Sequence, residues 1–143
     1  MRSAKGFDPI EFLHFAEELA KELGGSNSMY RDAKIRTIFS RCYYAVYLIC
    51  ASKLFHLRPE HPDFRHDKIY GKVKNKGETG RQIAKELEHL WIYRKVADYY
   101  LSTPCTVRGR AIEKTVICSL NEVSDAINRA KRALEKLNIL LSL

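Results

Sequence analysis

The sequence predicts an all-α protein, an up-and-down bundle of four to five helices. Three observations carry this. Apolar residues recur at three- and four-residue spacing through long segments. Helix start and stop residues bracket those segments. No segment alternates apolar and polar residues between turns, as a half-buried strand would. The 143 residues suit one domain spanning 1–143. A chain of that length can bury a core without disulfide or metal staples. With 45% hydrophobic and 29% charged residues, the composition is that of a globular chain and excludes a disordered one.

The first predicted helix opens at "FDPIE", where Asp8 can cap, Pro9 suits the first helical position and Glu11 completes a capping box. Phe12, Phe15, Ala16, Leu19 and Leu23 make one stripe, and Gly24-Gly25 ends it. The second runs from about Ser28 to Phe55, roughly 40 Å at 1.5 Å per residue. Ile35, Ile38, Phe39, Cys42, Val46 and Ile49 form its main stripe, while Tyr43, Tyr44, Tyr47, Leu48 and Ala51 cover much of the rest. A helix apolar nearly all round is buried on more than one side. One side is expected to face the bundle and the other a second copy of the chain. The polar line Arg31, Lys34, Arg41 is left for solvent or a ligand.

Two prolines in "LRPEHPDFRH" end that helix. A short helical piece follows around "DKIYGKV", and "KNKGETG" at 74–80 reads as a flexible basic loop. The third long helix starts near Arg81 with Ile83, Leu87, Leu90 and Trp91 on one face, and "STPC" breaks it. Thr103 can cap and Pro104 can begin the next helix. In the last helix Leu120, Val123, Ile127, Ala130, Leu134, Leu137 and Leu141 form a heptad seam. About three heptads fit the core stripe of a bundle better than a free-standing coiled coil.

The net charge is +8. The segment 1–27 carries three basic and five acidic residues, so the excess lies elsewhere in the chain. A basic domain attracts phosphate polymers, although plain solubility explains such a charge equally well. The N-terminus has no apolar signal region, and "CYYAVYLICAS", the longest uncharged run of the second helix, is too short to span a bilayer. A cytoplasmic protein with no membrane association is expected. Cys42, Cys50, Cys105 and Cys118 show no zinc spacing, and the first two read as small buried hydrophobes. No nucleotide-binding glycine loop and no H-E-x-x-H or G-x-S-x-G motif occurs, so no metal and no cofactor is expected.

"WIYRKVADYY" at 91–100 is the segment most suggestive of chemistry. Trp91 is expected on the apolar face by its spacing from Leu87 and Leu90. Arg94 lies near that face and needs a partner there, because an unpaired buried charge is costly. Asp98, four residues on, supplies one.

The segments "RTIFSRCYYAVYLICASKLF", "RHDKIYGKV" and "LEHLWIYRKVADYY", followed by a long amphipathic helix, resemble the HEPN-domain family over roughly residues 8–140. The family name stands for higher eukaryotes and prokaryotes nucleotide-binding. The resemblance is to the prokaryotic branch with an R-x-YYA helix, here Arg41–Ala45, a histidine in the middle segment, here His66, and an R-x-x-A-D-Y signature, here Arg94–Tyr99. It implies a helical bundle that is usually dimeric. It also implies that Arg94, Asp98, Arg41, Tyr44 and His66 contact nucleotide or RNA. Many members are metal-independent RNases that pair an arginine with a histidine. Arginine offers a permanent planar cation for the phosphorane, and histidine titrates near neutrality.

This chain keeps the arginine and departs elsewhere. Lys95 stands where active members have Asn, Asp or His, and Tyr99, Tyr100 and Leu101 occupy the positions open to the histidine. Tyrosine, with a pKa about 10, is a poor base at neutral pH. Arg94 and Tyr99 are therefore the catalytic candidates, and His66 or His89 could replace the missing base only if the fold brought one within reach. The resemblance implies a small partner of a minimal nucleotidyltransferase in a toxin–antitoxin or defence system, with Tyr99 or Tyr100 as a site of modification. Two other readings stand beside it. One is a metal-independent RNase using Arg94 and a non-standard base. The other is a non-catalytic helical protein-interaction module with a structural Arg94–Asp98 pair.

Overall fold

The computed structural model describes residues 6–25 and 29–143. Five helices, α1 (Ile10–Leu23), α2 (Arg31–Leu48), α3 (His66–Lys74), α4 (Gly77–Tyr99) and α5 (Leu120–Leu141), form a helical bundle. A two-stranded hairpin, β1 (Cys105–Arg108) and β2 (Glu113–Val116), is inserted between α4 and α5. Helix α2 is central and packs on α1, α4 and α5.

The entry to α1 follows its sequence signals in part: Asp8 bonds the helix start, but Pro9 occupies the cap position before Ile10 and the Glu11 side chain does not close the expected capping box. Asp8 Oδ1 accepts from the N–H of Ile10 at 3.1 Å, and Lys53 donates to the same carboxylate at 3.3 Å. The predicted start of α2 at Ser28 lies outside the described residues. Beyond Leu48 the helix widens into a π-helical segment, Ile49–Leu54, closed by the bonds from Phe55 N to Cys50 O and from Leu57 N to Ala51 O. The second apolar side of α2 is covered by the chain itself, which corrects the expectation that a second copy must cover it. Tyr43 and Tyr47 are only 3% and 5% exposed. Phe64 meets the Tyr47 ring edge-on at 5.5 Å, and His66 lies 5.8 Å from Tyr43.

Three local expectations are corrected. First, 74–80 is not a loop, because α3 runs to Lys74 and α4 begins at Gly77. A Cβ on Gly80 would collide with the carbonyl oxygen of Val73 and lie 2.6 Å from Lys76 Cβ. The glycine permits close approach of the two helices and does not signal mobility. Second, the Thr103–Pro104 peptide is cis and leads into β1, not into a helix. Thr103 Oγ1 accepts from Cys118 N at 3.4 Å. Third, strands are present. β1 and β2 pair antiparallel with Cys105 opposite Val116 and Arg108 opposite Glu113. Val107 and Val116 bury their side chains in the core, while Thr106 and Thr115 bond across the exposed face at 2.8 Å.

Helix α5 begins at Ser119, whose hydroxyl accepts from Glu122 N at 3.3 Å. The middle of its seam, Val123 to Leu137, is buried, whereas Leu120 and Leu141 at the ends are exposed. Cys42 and Cys50 are buried free thiols, and burial raises both pKa values, that of Cys50 to about 12. Among the described residues no helix is long and apolar enough to cross a membrane.

Candidate functional site

The outer ends of α2 and α4 bring five of the six sequence-selected residues together. On α2, Arg41 and Tyr44 stand three residues apart and share a face. On α4, Arg94 and Asp98 stand four residues apart and share a face, and Tyr99 follows at the end of the helix. The Tyr44 ring ties the two helices, with the Arg41 guanidinium 5.3 Å from its centroid and that of Arg94 at 5.8 Å. Phe12 of α1 supports Arg41 from behind at 4.6 Å, and Arg41 Nη2 donates to Ser40 Oγ at 3.0 Å. Tyr99 places its ring 5.7 Å from Arg94 and is itself exposed.

Arg94 Nε lies 3.0 Å from Asp98 Oδ2, so the expected i,i+4 ion pair is present. The N–H is not aligned as a hydrogen bond, and the side chain keeps 25% of its surface in solvent. Next to this pair is a cleft of about 270 Å³ lined by Arg36, Thr37, Ser40, Arg41, Ala97 and Asp98. The Arg41 guanidinium and the Asp98 carboxylate line this cleft, and Arg94 is paired to that carboxylate. The cation–π contacts hold each guanidinium plane and leave edge N–H groups for an incoming oxyanion.

Arg36 shapes the site without having been singled out in the sequence. Its Nη1 donates to Val96 O at 2.9 Å and Tyr100 O at 2.6 Å, its Nη2 to Leu101 O at 3.3 Å, and its Nε to Asp32 at 2.6 Å. It therefore ties Val96 in the last turn of α4, the turn that carries Asp98 and Tyr99, to the chain that leaves it at Tyr100 and Leu101.

His66 stands one ring away from the cluster. Its Nδ1 shares a 3.0 Å hydrogen bond with the Tyr43 hydroxyl, and its ring stacks on Trp91 at 4.8 Å and 13°. Trp91 is only partly buried, not a core residue as its spacing predicts. It is held between His66 and the Lys95 ammonium, which lies 4.6 Å from its ring. Burial first, then Arg110 and Arg94, push the His66 pKa down to about 4 against the opposing pull of Asp67. His89, the other possible substitute base, sits at the α4–α5 face with its pKa also lowered to about 4, chiefly by burial. Neither is poised near neutral pH for proton transfer.

The hairpin contributes two arginines that spacing could not place. Arg108 and Arg110 line a cleft of about 390 Å³ together with His66, Asp67 and Trp91. Asp67 is taken by Arg65 in a bidentate pair, both bonds 2.7 Å. Among the described residues no group of three His, Cys, Asp or Glu side chains is arranged to hold a metal ion. No protein-family model, curated protein or solved structure matches the chain.

Proposed function

We propose that this chain is a small HEPN-like protein that binds nucleotide or RNA through Arg94 and Arg41. In this reading it is a cytoplasmic homodimer that acts beside a minimal nucleotidyltransferase in a toxin–antitoxin or defence-type system. One observation carries the binding claim. Two guanidiniums flank a single tyrosine ring, that of Arg41 lining a cleft and that of Arg94 paired to Asp98 at the same cleft. Such a pair repels itself until an anion arrives, and edge-on guanidinium donors match phosphate oxygens. Exposed Tyr99 beside Arg94 offers a face on which a base can stack. The lowered pKa values of His66 and His89 offer no support to the RNase alternative.

The test is binding of a short single-stranded RNA against salt concentration. Arg41→Ala and Arg94→Ala should each weaken binding about tenfold and flatten the salt dependence by roughly one phosphate contact. Unchanged binding in both variants removes the site assignment. Light scattering reads the dimer directly, and a monomer at micromolar concentration contradicts it.

A second reading has its own observation, the intramolecular Arg94–Asp98 pair. If that pair is structural, the protein is a non-catalytic interaction module. Arg94→Ala then lowers stability while RNA binding stays absent in the parent protein as well.

A further inference from the structure

Helices α4 and α5 enclose a second, larger cleft, about 600 Å³, which shares no residue with the Arg94 cluster. Its floor is Glu86, a carboxylate only 7% exposed. Oε1 of Glu86 accepts from Arg129 Nη1 and Oε2 from Arg132 Nε, both at 2.8 Å. One buried carboxylate thus fixes two guanidiniums side by side, and it is fully occupied in doing so. Arg129 is gripped again through Nε by Asp125 at 2.9 Å, and Asp125 in turn accepts from Tyr93 at 2.5 Å and from Lys114 at 3.1 Å. The guanidinium positions are therefore set before any ligand enters, with Nη2 of Arg129 and both Nη atoms of Arg132 uncommitted among the described residues.

The walls add charge. Lys85 and His89 lie one turn apart on α4, and Arg132 and Lys136 one turn apart on α5, so the cleft has a basic rail on each side. Lys85 and Lys136 have no acidic partner among the described residues. Among the lining residues four cations stand against the single Glu86 carboxylate, and Asp125 behind the cleft is shared between Arg129 and Lys114, so the lining is strongly positive. His89 Nδ1 is buried there without a hydrogen-bond partner. Burial, Arg129 and Lys114 hold the imidazole neutral, with Glu86 and Asp125 pulling the other way.

We propose that this cleft is a binding site for a small polyphosphate-bearing ligand, gripped by Arg129 and Arg132 on the Glu86 floor and by Lys85 and Lys136 at the walls. A single carboxylate ligand would leave most of this charge unmet, whereas a triphosphate chain matches it. Planar guanidinium edges suit phosphate oxygens, and the volume is that of a small-molecule site. A bound polyanion reverses the local field at His89 and draws a proton onto it, so binding tightens as pH falls. The chain can come from inorganic triphosphate or from a nucleoside triphosphate.

Calorimetric titrations with tripolyphosphate, ATP and adenosine test the site. Tripolyphosphate should bind at one site per chain and adenosine should not. Tighter binding of ATP than of tripolyphosphate assigns the nucleotide as the source, and the reverse assigns the inorganic chain. The Lys85→Ala/Lys136→Ala variant removes only residues without ion pairs and should lose at least about tenfold in affinity. His89→Asn should lose most of the tightening seen in the parent protein between neutral and mildly acidic pH. In an Arg94→Ala background the tripolyphosphate binding that depends on Lys85 and Lys136 should persist. No tripolyphosphate binding up to millimolar concentration overturns the site, as does binding of single-stranded RNA without tripolyphosphate. Loss of binding in Arg94→Ala with full retention in Lys85→Ala/Lys136→Ala also overturns it, while leaving the Arg94 site standing.

Discussion

The carboxylate of Glu88, on α4, accepts from the main-chain N–H of Arg110, in the turn of the hairpin. The same Oε1 accepts from Ala111 N at 3.1 Å, and Gly109 is packed so closely that an added Cβ would lie 2.8 Å from that oxygen. Glu88 is 2% exposed, so a buried side chain of the bundle dictates where the hairpin turn sits. Arg108 and Arg110 are placed by this contact.

Removing that anchor should cost stability and hairpin order together. Glu88→Ala leaves a void and strips two N–H groups of their acceptor, for about 2–3 kcal/mol. Glu88→Gln keeps an acceptor and should lose about 1 kcal/mol. Urea denaturation of both variants checks the ranking. Equal midpoints for parent and Glu88→Ala would show that the turn holds itself.

Two glycines in neighbouring helices should respond with opposite sign to the same substitution. Gly71, inside α3, has no atom near its would-be Cβ, so Gly71→Ala should stabilise by about 0.5–1 kcal/mol. Gly80 is just as helical, but its Cβ would strike the Val73 carbonyl. Steric overlap should outweigh propensity, and Gly80→Ala should destabilise by about 1–3 kcal/mol. Thermal melts of the pair decide this, and two variants moving in the same direction would contradict the packing described for α3 and α4.

These positions also show what could be read from the chain beforehand. The stripes of α1, α2, α4 and α5 were legible because helical periodicity persists over many residues. Gly77 and Gly80 read as loop; Gly77 serves by its positive φ of 78°, whereas Gly80's role in close packing is written in its spatial neighbour, Val73. The hairpin escaped because each strand has only four residues, too few to display alternation, although Thr and Val flank Gly109 on both sides. Within the site, the Arg94–Asp98 pair was visible as i,i+4 spacing on one helix. The placing of Tyr44 between Arg41 and Arg94 was not, since it needs two helices in register. The same holds for Glu86, whose partners lie 43 and 46 residues away.

Arg36 should be irreplaceable by lysine. It bonds three carbonyls at the end of α4 while Asp32 steadies its Nε. A lysine ammonium is a single point that cannot span those acceptors with a fixed fork. Arg36→Lys and Arg36→Ala should each lose about 1.5–3 kcal/mol. Hydrogen exchange should accelerate at the last turn of α4, which carries Asp98 and Tyr99. Full stability in Arg36→Lys would mean that water caps this helix end equally well.

His66 should make the fold sensitive to mild acid. In the unfolded chain its imidazole takes a proton near its ordinary pKa of 6.5, whereas in the folded chain it does so only at about 4. Between those values the unfolded state binds more protons, so stability falls as pH drops through the window and levels off below it. The groups acting on the ring are Arg110 and Arg94, which disfavour the cation, and Asp67, which favours it. A shift of this size corresponds to up to about 3 kcal/mol. His89 contributes in the same direction with a more exposed ring, and so more weakly. His66→Phe keeps a ring to stack on Trp91 and gives up the bond to Tyr43. It should lower stability at neutral pH and flatten the decline between pH 6.5 and 4. Denaturation midpoints measured across that range for both proteins provide the check, and parallel pH curves would show that His66 is already protonated in the folded protein at mildly acidic pH.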